Sequence, residues 1–379
     1  MTFRVAIWHS VFAFTLFIIL VDGVDAKNIS QLPHIERVDT RINTLMEEGH
    51  FPGAAITVIR AGQPLHVSTH GMANLAHEIP VTTQTVFEIA SLTKQMTALA
   101  VMTLVEEERL SLNDRLVDWI EDAPPAWDKI TVDQLLSHTA GLTHRFERTE
   151  HDVLLLEYSR DDMLASAKST SMLADPGTDW NYSDQGYFLL GIIIEEVSGQ
   201  SYAEFMEATF FRPLGMDQTH LLDQRKIVPH LAQGYAWSNG KLQRNRRVWQ
   251  FALTSHFGVM SSLDDLIRWE AELSNPKLIN RKALEATWQI QRPFDTGRQC
   301  DTWGYARGWQ VLIVNGRRIL NHGGYSGTAY IRDVDTGLSV IVLTNREDTS
   351  NALHPLSLGW EAAHAADSSI PSDGYRCWE

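Results

Sequence analysis

Cysteine is scarce in this sequence, with only two among 379 residues, Cys300 and Cys377. The two form no paired cluster, and His77-Glu78 lacks a second histidine at helical spacing, so we predict no metal site. A disulfide between Cys300 and Cys377 is chemically permitted if the chain is exported, and two unpaired thiols are the alternative.

Apolar runs long enough to span a membrane are also lacking. The run VFAFTLFIILV, Val11–Val21, has 11 residues, whereas a spanning helix needs ~20. It follows a short basic start at Met1–Arg4 and precedes small residues at Val24-Asp25-Ala26, which is the pattern of a secretory signal peptide. We therefore predict a signal peptide over residues 1–26, a secreted or periplasmic protein, and a single domain over residues 27–379.

Positive charge is in short supply, since 32 Lys and Arg stand against 47 Asp and Glu, a formal net charge of −15. An acidic chain repels phosphate backbones and anionic lipid surfaces, so we expect neither nucleic acid as a partner nor stable membrane insertion after signal cleavage. The expected partner is a small-molecule or peptide substrate, which the charge does not identify. The sequence does not indicate an oligomeric state.

What the sequence does contain is strand-like segments at both ends of the chain around a helical middle. The predicted helices are Ile35–Glu48, Ser91–Glu108, Val132–Ser137, Arg160–Lys168, Gln185–Val197, Tyr202–Phe211 and Pro355–Ala365. The predicted strands are Ala54–Arg60, Leu65–Thr69, Gly308–Val314, Arg318–Asn321, Thr328–Val334 and Leu338–Thr344. This order predicts an α+β fold with one antiparallel sheet flanked by helices and an adjoining helical lobe over about residues 91–215.

A Ser-x-x-Lys pattern points to nucleophilic chemistry, although it occurs three times. Ser238–Lys241 contains an Asn-Gly turn and Ser274–Lys277 contains a proline, so neither presents both side chains from one helical turn. Ser91 and Lys94 stand at the start of a long helical pattern with one apolar face, where the pair shares one side of the turn. The alternative is that Ser91 is an ordinary helix N-cap.

Two further segments carry polar groups that suit the same chemistry. Tyr182 precedes a predicted helix, and His322-Gly323-Gly324 lies between two strand-like runs. The sequence lacks Gly-x-Ser-x-Gly, so the nucleophile elbow of α/β-hydrolases is not predicted.

With these motifs, the sequence resembles the serine β-lactamase and penicillin-binding-protein superfamily, in the branch of class C β-lactamases, D-peptidases and β-lactamase-like esterases. The supporting matches are Leu135–Leu142 (LLSHTAGL), Phe211–Met216 (FRPLGM) and Gly258–Ser262 (GVMSS). The resemblance implies a β-lactamase/transpeptidase-like fold and a reaction that needs no cofactor. In such a family His138 of the Leu135–Leu142 match belongs to a turn.

The resemblance also implies roles for individual residues. Ser91 is the acylated nucleophile, Lys94 tunes charge and shares proton transfer, and Tyr182 is the candidate general base. The oxyanion hole is formed by the backbone N–H groups of Ser91 and Tyr325, the latter expected on an edge strand. Gly323 and Gly324 are expected to leave room for substrate beside that strand.

Two positions depart from the class C pattern. Asp184 stands where that pattern has asparagine, so it cannot donate a hydrogen bond to a substrate carbonyl, and it should keep Lys94 protonated. We take this to favour Tyr182 as the base. His322 and Gly323 replace a lysine and a hydroxyl residue that receive a substrate carboxylate, so Asp184, His322, Gly323 and Gly324 form a substrate-binding group that differs from that of a β-lactamase.

The sequence thus predicts an exported serine hydrolase that forms an acyl-enzyme on Ser91 and acts on a small ester or a D-amino-acid amide or peptide. One alternative is a β-lactamase of class C type with altered motifs. Another is a non-catalytic protein that binds peptidoglycan fragments or peptides.

Overall fold

The structure is a computed structural model that describes residues 35–144, 146, 157–245, 250–294, 302–347 and 353–374. The predicted signal peptide and both cysteines lie outside these residues, so the export, the location and the disulfide stay predictions. In the described part of the chain, no helix has the length and the apolar character that a membrane span requires.

The helices are α1 (Ile35–Glu48), α2 (Thr93–Glu106), α3 (Val132–Leu136), α4 (Arg160–Ser169), α5 (Asp184–Ser198), α6 (Tyr202–Met206), α7 (Arg212–Leu214), α8 (Leu263–Ser274), α9 (Arg281–Ala286) and α10 (Pro355–Ala366). The strands are β1 (Gly53–Arg60), β2 (Gln63–Asn74), β3 (Ile79–Pro80), β4 (Phe87–Glu88), β5 (Glu157–Tyr158), β6 (His220–Leu221), β7 (Tyr235–Ser238), β8 (Lys241–Arg244), β9 (Gln250–Phe251), β10 (Val259–Ser261), β11 (Arg292–Phe294), β12 (Thr302–Tyr305), β13 (Gln310–Val314), β14 (Arg317–Gly324), β15 (Thr328–Asp333) and β16 (Leu338–Thr344). Short 3₁₀ turns cover Ala90–Leu92, Leu116–Asp118 and Pro125–Trp127, and a π-helical turn covers Glu207–Phe211.

One large sheet joins the two ends of the chain. Among the described residues it has nine strands, in the order β11-β12-β13-β14-β15-β16-β1-β2-β3. Strand β1, from near the start, pairs antiparallel with β16, from near the end, with Ala54 opposite Thr344. The predicted antiparallel sheet built from both chain ends is therefore confirmed.

Alternate residues of the central strands enter two different hydrophobic cores. In β1, Ala54, Ile56 and Val58 join the core that contains α1 and α10, while Ala55 and Ile59 join the core that contains α2, α5 and α8. Because successive side chains of a strand point to opposite faces, both faces of the sheet are covered by helices. The helical lobe and the sheet together position the segments that carry the predicted site.

Most of the predicted elements end within two residues of the observed ends, and α1 and β16 match the predicted ranges. The predicted helix Ser91–Glu108 differs in character. It begins as a 3₁₀ turn, and from Thr93 to Leu104 every residue of α2 is buried. A helix buried on all sides lies in the centre of the molecule instead of presenting one apolar face.

Candidate active site

Ser91 lies in the tight 3₁₀ turn Ala90–Leu92 that connects β4 with α2. The residue before it, Ala90, has a φ of +47°, in the left-handed region that residues other than glycine rarely adopt. Such a conformation costs about 1–3 kcal/mol and persists only where surrounding contacts enforce it. The Ser91 side chain caps neither the turn nor the helix, so the alternative of an ordinary N-cap is wrong.

Lys94, in the first turn of α2, has a fully enclosed side chain, 0% exposed. Its Nζ donates to Ser91 Oγ at 3.2 Å, to Asp184 Oδ1 at 2.7 Å and to the backbone carbonyl of His256 at 2.7 Å. The three-residue spacing therefore brings the hydroxyl and the amine into contact as predicted. The carboxylate that compensates the buried ammonium comes from a distant part of the chain.

Tyr182 and Asp184 belong to the segment that leads into α5. Ser183, between them, is the N-cap of this helix and fixes the direction of the segment. The ring centroid of Tyr182 lies 4.8 Å from Lys94 Nζ, and the side chains of Lys94 and Ser91 both act to lower the pKa of Tyr182. The structure thus brings together Ser91, Lys94, Tyr182 and Asp184.

The ionisation of these groups follows from burial and from the ion pair. Burial lowers the pKa of Lys94, but Asp184 and then Tyr182 outweigh it, and the net pKa is raised. Burial raises the pKa of Asp184, but Lys94 together with His256 and His144 outweighs it, and the net pKa is lowered. For Tyr182, burial raises the pKa and Asp184 adds to this, so the opposing charge of Lys94 does not bring the pKa down. At neutral pH the site holds an ammonium, a carboxylate and a neutral phenol. The raised pKa argues against Tyr182 as a phenolate base, and its predicted role as the general base stays a prediction.

The strand that carries His322, Gly323 and Gly324 is β14, and its place in the sheet corrects the predicted edge strand. It pairs with β13 on one side and with β15 on the other. The pairing with β13 ends at Asn321, so only the last three residues of β14 have one side without a neighbouring strand. Tyr325 follows directly after this end.

Two hydrogen bonds hold the turn after β14 against the segment before Ser91. Thr328 Oγ1 donates to the backbone carbonyl of Ile89 at 3.0 Å, and Ser326 Oγ donates to the carbonyl of Glu88. These contacts place Tyr325, which lies between Gly324 and Ser326, beside the turn that carries Ser91. The two predicted oxyanion-hole residues are therefore neighbours in space, and their role stays a prediction.

Gly323 and Gly324 differ in what lies on their side-chain faces. A Cβ on Gly324 would lie 2.5 Å from the carbonyl oxygen of Ile89 and 2.1 Å from Thr328 Oγ1. A Cβ on Gly323 would face Leu356 of α10 at 3.8 Å. The role of these glycines in leaving room for a substrate beside the strand stays a prediction.

His322 is buried and neutral. Its Nδ1 donates to the Gly323 carbonyl at 2.8 Å, so Nε2 accepts from the hydroxyl of Tyr305 at 3.1 Å. Burial first, then the charge of Lys94, lowers the pKa of His322 to about 4. At neutral pH this residue offers no positive charge to a substrate carboxylate.

Sequence reasoning missed two histidines around the site, His256 and His144, and placed a third, His138, only in a turn. His256 contributes its backbone carbonyl to Lys94 and buries its ring, and burial lowers its pKa to about 4. His144 Nδ1 lies 3.9 Å from Asp184 Oδ2. His138 lies in a turn, as expected, but its Nδ1 also accepts from the N–H of Ser183 at 3.1 Å. A backbone carbonyl and side chains on loops leave no periodic pattern, so no motif could have found them.

Metal binding has no candidate cluster in the described part of the chain. No group of three or more His, Cys, Asp or Glu side chains is arranged there to hold an ion. The polar groups around Ser91 are instead paired with one another.

Curated relatives of this chain include penicillin-binding proteins. It is 29% identical over 333 residues to penicillin-binding protein 4* of Bacillus subtilis (strain 168), which covers 83% of this chain and 72% of that protein. It is 26% identical over 299 residues to protein flp of Staphylococcus aureus (strain MRSA252). This second alignment covers 76% of the chain and 58% of protein flp, so the chain spans less than two thirds of that relative.

Solved structures with the same fold include two hydrolases. EstCE1, a hydrolase with promiscuous acyltransferase activity, has a TM-score of 0.73 and 21% identity, covering 88% of this chain and 97% of its own. The D-amino acid amidase from Ochrobactrum anthropi SV3, complexed with D-phenylalanine, has a TM-score of 0.70 and 20% identity, covering 88% and 99%. At these identities the similarity shows the fold alone.

A family match that covers most of the chain identifies the family. The sequence profile described as Beta-lactamase matches residues 38–362, which include all four side chains that meet around Ser91. Together with the β-lactamase/transpeptidase-like fold, this match shows that the chain belongs to the beta-lactamase family.

Proposed function

We propose that this protein is an exported serine hydrolase that forms an acyl-enzyme on Ser91 and acts on a small ester or a D-amino-acid amide or peptide. The observation that carries the proposal is the contact between a fully buried lysine and the serine, with Lys94 Nζ 3.2 Å from Ser91 Oγ. A buried ammonium is costly to desolvate, so a site that keeps one against a hydroxyl is organised for chemistry.

The proposed reaction has two steps. Ser91 Oγ attacks the carbonyl carbon, its proton passes to Lys94 in the amine form, and the oxyanion accepts hydrogen bonds from the backbone N–H groups of Ser91 and Tyr325. The leaving group departs with a proton returned through Tyr182. In the second step water attacks the carbonyl carbon of the acyl-enzyme and gives its proton to the same base. The ester bond to Ser91 Oγ then breaks, which releases the carboxylic acid and restores Ser91.

The proposed substrate class rests on charge. A substrate carboxylate meets the neutral His322 and the carboxylate of Asp184. The ammonium of Lys94 is enclosed and already donates to three acceptors. Substrates without a carboxylate beside the reacting carbonyl therefore suit this site best, and the structural likeness to EstCE1 and to the D-amino acid amidase supports esters and amides.

A β-lactamase of class C type is the second candidate, and the family match favours it. The same charges argue against efficient turnover, because a β-lactam carries a carboxylate that the class C pattern receives with a lysine. Efficient cephalosporin hydrolysis by the purified protein would establish the second candidate instead.

The decisive experiment compares p-nitrophenyl butyrate hydrolysis by the purified wild type and by Ser91→Ala. We expect the substitution to lower kcat/KM at least about a thousand-fold, since the nucleophile is lost. Ser238→Ala is the matched control, because Ser238 belongs to a second Ser-x-x-Lys pattern, on the hairpin of β7 and β8. Equal rates in wild type and Ser91→Ala, or no turnover in either, would overturn the ester proposal and favour a non-catalytic binder of peptidoglycan fragments or peptides.

A further inference from the structure

Lys94 has two partners that only accept hydrogen bonds and one that both donates and accepts. The carboxylate of Asp184 and the carbonyl of His256, each 2.7 Å from Nζ, take two of its hydrogens. The third partner of Nζ is Ser91 Oγ, 3.2 Å away. As an ammonium, Lys94 donates there. As an amine, it would direct its lone pair at the Ser91 hydroxyl and could accept the proton.

The protonation state of Lys94 therefore decides whether the site contains a base. A carboxylate in direct contact favours the ammonium, and burial disfavours it. In this site burial is the largest single influence, but Asp184 and Tyr182 together outweigh it, and the pKa of Lys94 is raised. An asparagine at position 184 would accept the same hydrogen bond without the charge.

Two of the other titratable groups around Asp184 and Lys94 do not replace this base. Tyr182 is held as a neutral phenol. The imidazole of His322 is occupied at both nitrogens. The groups that face the Lys94–Asp184 pair from the surrounding segments are Tyr182, His138, His144, His256 and His322.

We propose that Asp184 is a positioning residue that sets the working pH: it keeps the third proton on Lys94 and so withholds the base from Ser91 until the solution is alkaline. This inference rests on the proposed function, in which Ser91 is the nucleophile. Besides forming the ion pair with Lys94, Asp184 thereby sets the pH at which acylation of Ser91 becomes fast.

The first test is the pH dependence of kcat/KM for p-nitrophenyl butyrate, with the non-enzymatic rate subtracted. In the wild type we expect the rate to rise through neutral pH into the alkaline range. In Asp184→Asn the rising limb should move down by at least about one pH unit, because an adjacent opposite charge shifts a pKa by roughly 1–3 units. Asp179→Asn is the matched control, since Asp179 is exposed and lies 3.7 Å from Arg292, and its limb should coincide with that of the wild type.

The second test does not depend on any substrate. Protein labelled with ¹³C at the lysine ε-carbons is titrated by NMR, and the Lys94 resonance is identified by its loss in Lys94→Arg. The wild-type resonance should keep its ammonium position to a higher pH than the Asp184→Asn resonance. This measurement separates failure of the inference from failure of the proposed function, which the Ser91→Ala comparison tests alone.

The inference would be overturned if, in Asp184→Asn, the rising part of the pH–rate profile and the titration of the Lys94 resonance occurred at the same pH as in the wild type, or at a higher pH. If Asp184→Asn does not fold, as judged by circular dichroism, Asp184→Ser provides the same loss of charge in a smaller side chain. Asp184→Glu should return the limb toward the wild-type position, which a purely steric effect of residue 184 would not do.

Discussion

At the scale of single residues, the approach of β14 to the Ser91 turn depends on one glycine. Gly324 packs against Ile89 and Thr328 so closely that any side chain would collide with a backbone oxygen. Gly323, next in the strand, faces the opposite side of the sheet and has an ordinary contact distance to Leu356. The two neighbouring glycines thus differ, because a side chain at position 324 would collide with backbone and one at position 323 would not.

This difference gives a prediction about stability. Gly324→Ala should lower the free energy of unfolding by about 1–3 kcal/mol, because the added Cβ must displace backbone. Gly323→Ala should change it by less than about 1 kcal/mol. Urea unfolding of both variants checks this, and equal midpoints would mean that the turn yields to the added methyl group.

At the scale of elements, the site is a junction between the end of a strand and the start of a helix. The turn after strand β14 supplies Tyr325 and helix α2 supplies Lys94, and the segment from Glu88 to Ala90 contacts both elements. Thr328 Oγ1 ties β15 to this segment through the carbonyl of Ile89, 3.0 Å away. Hydrogen bonds of this kind hold the proposed oxyanion hole in a fixed geometry.

Thr328→Val should therefore affect both stability and rate. The substitution keeps the shape and removes one of two donors to the carbonyl of Ile89, which still accepts from the N–H of Leu92 at 3.2 Å, so it costs about 0.5–1.5 kcal/mol. Thr57→Val is the matched control, because buried Thr57 Oγ1 donates to the carbonyl of His66 at 2.9 Å in the same sheet, away from the site. We expect similar losses in urea midpoint, but a fall in kcat of at least about ten-fold only in Thr328→Val. A normal kcat in Thr328→Val would show that the tie is purely structural.

The elements also show how much of the structure could be predicted from the sequence. A continuous apolar, β-rich run predicted Leu338–Thr344 as a strand, and an apolar stripe predicted α1, because periodicity reports burial directly. The φ of Ala90 could not be predicted, since an alanine in the left-handed region is enforced by tertiary contacts. The motifs identified Ser91, Lys94 and Tyr182, whereas the carbonyl of His256 carries no side-chain signature.

At the scale of the whole molecule, burial keeps several histidines neutral. His256 and His322 are 4% and 3% exposed, and burial lowers the pKa of each to about 4. In the unfolded chain such a histidine has a pKa near 6.5. Between these values the unfolded chain binds protons that the folded protein does not, so the stability from these residues is present above about pH 6.5 and is lost as the pH falls toward 4.

Acid should therefore weaken the fold well before the carboxylates titrate. Each of the two histidines should cost about 2 kcal/mol of unfolding free energy between pH 7 and pH 5. His256→Gln removes one titrating group, so its loss over this range should be smaller than that of the wild type by about this amount. The exposed His77 provides the control His77→Gln, whose pH dependence should follow the wild type. Urea unfolding at pH 5 and 7 measures the difference, and parallel curves for wild type and His256→Gln would mean that His256 is protonated in the folded protein as readily as in the unfolded chain.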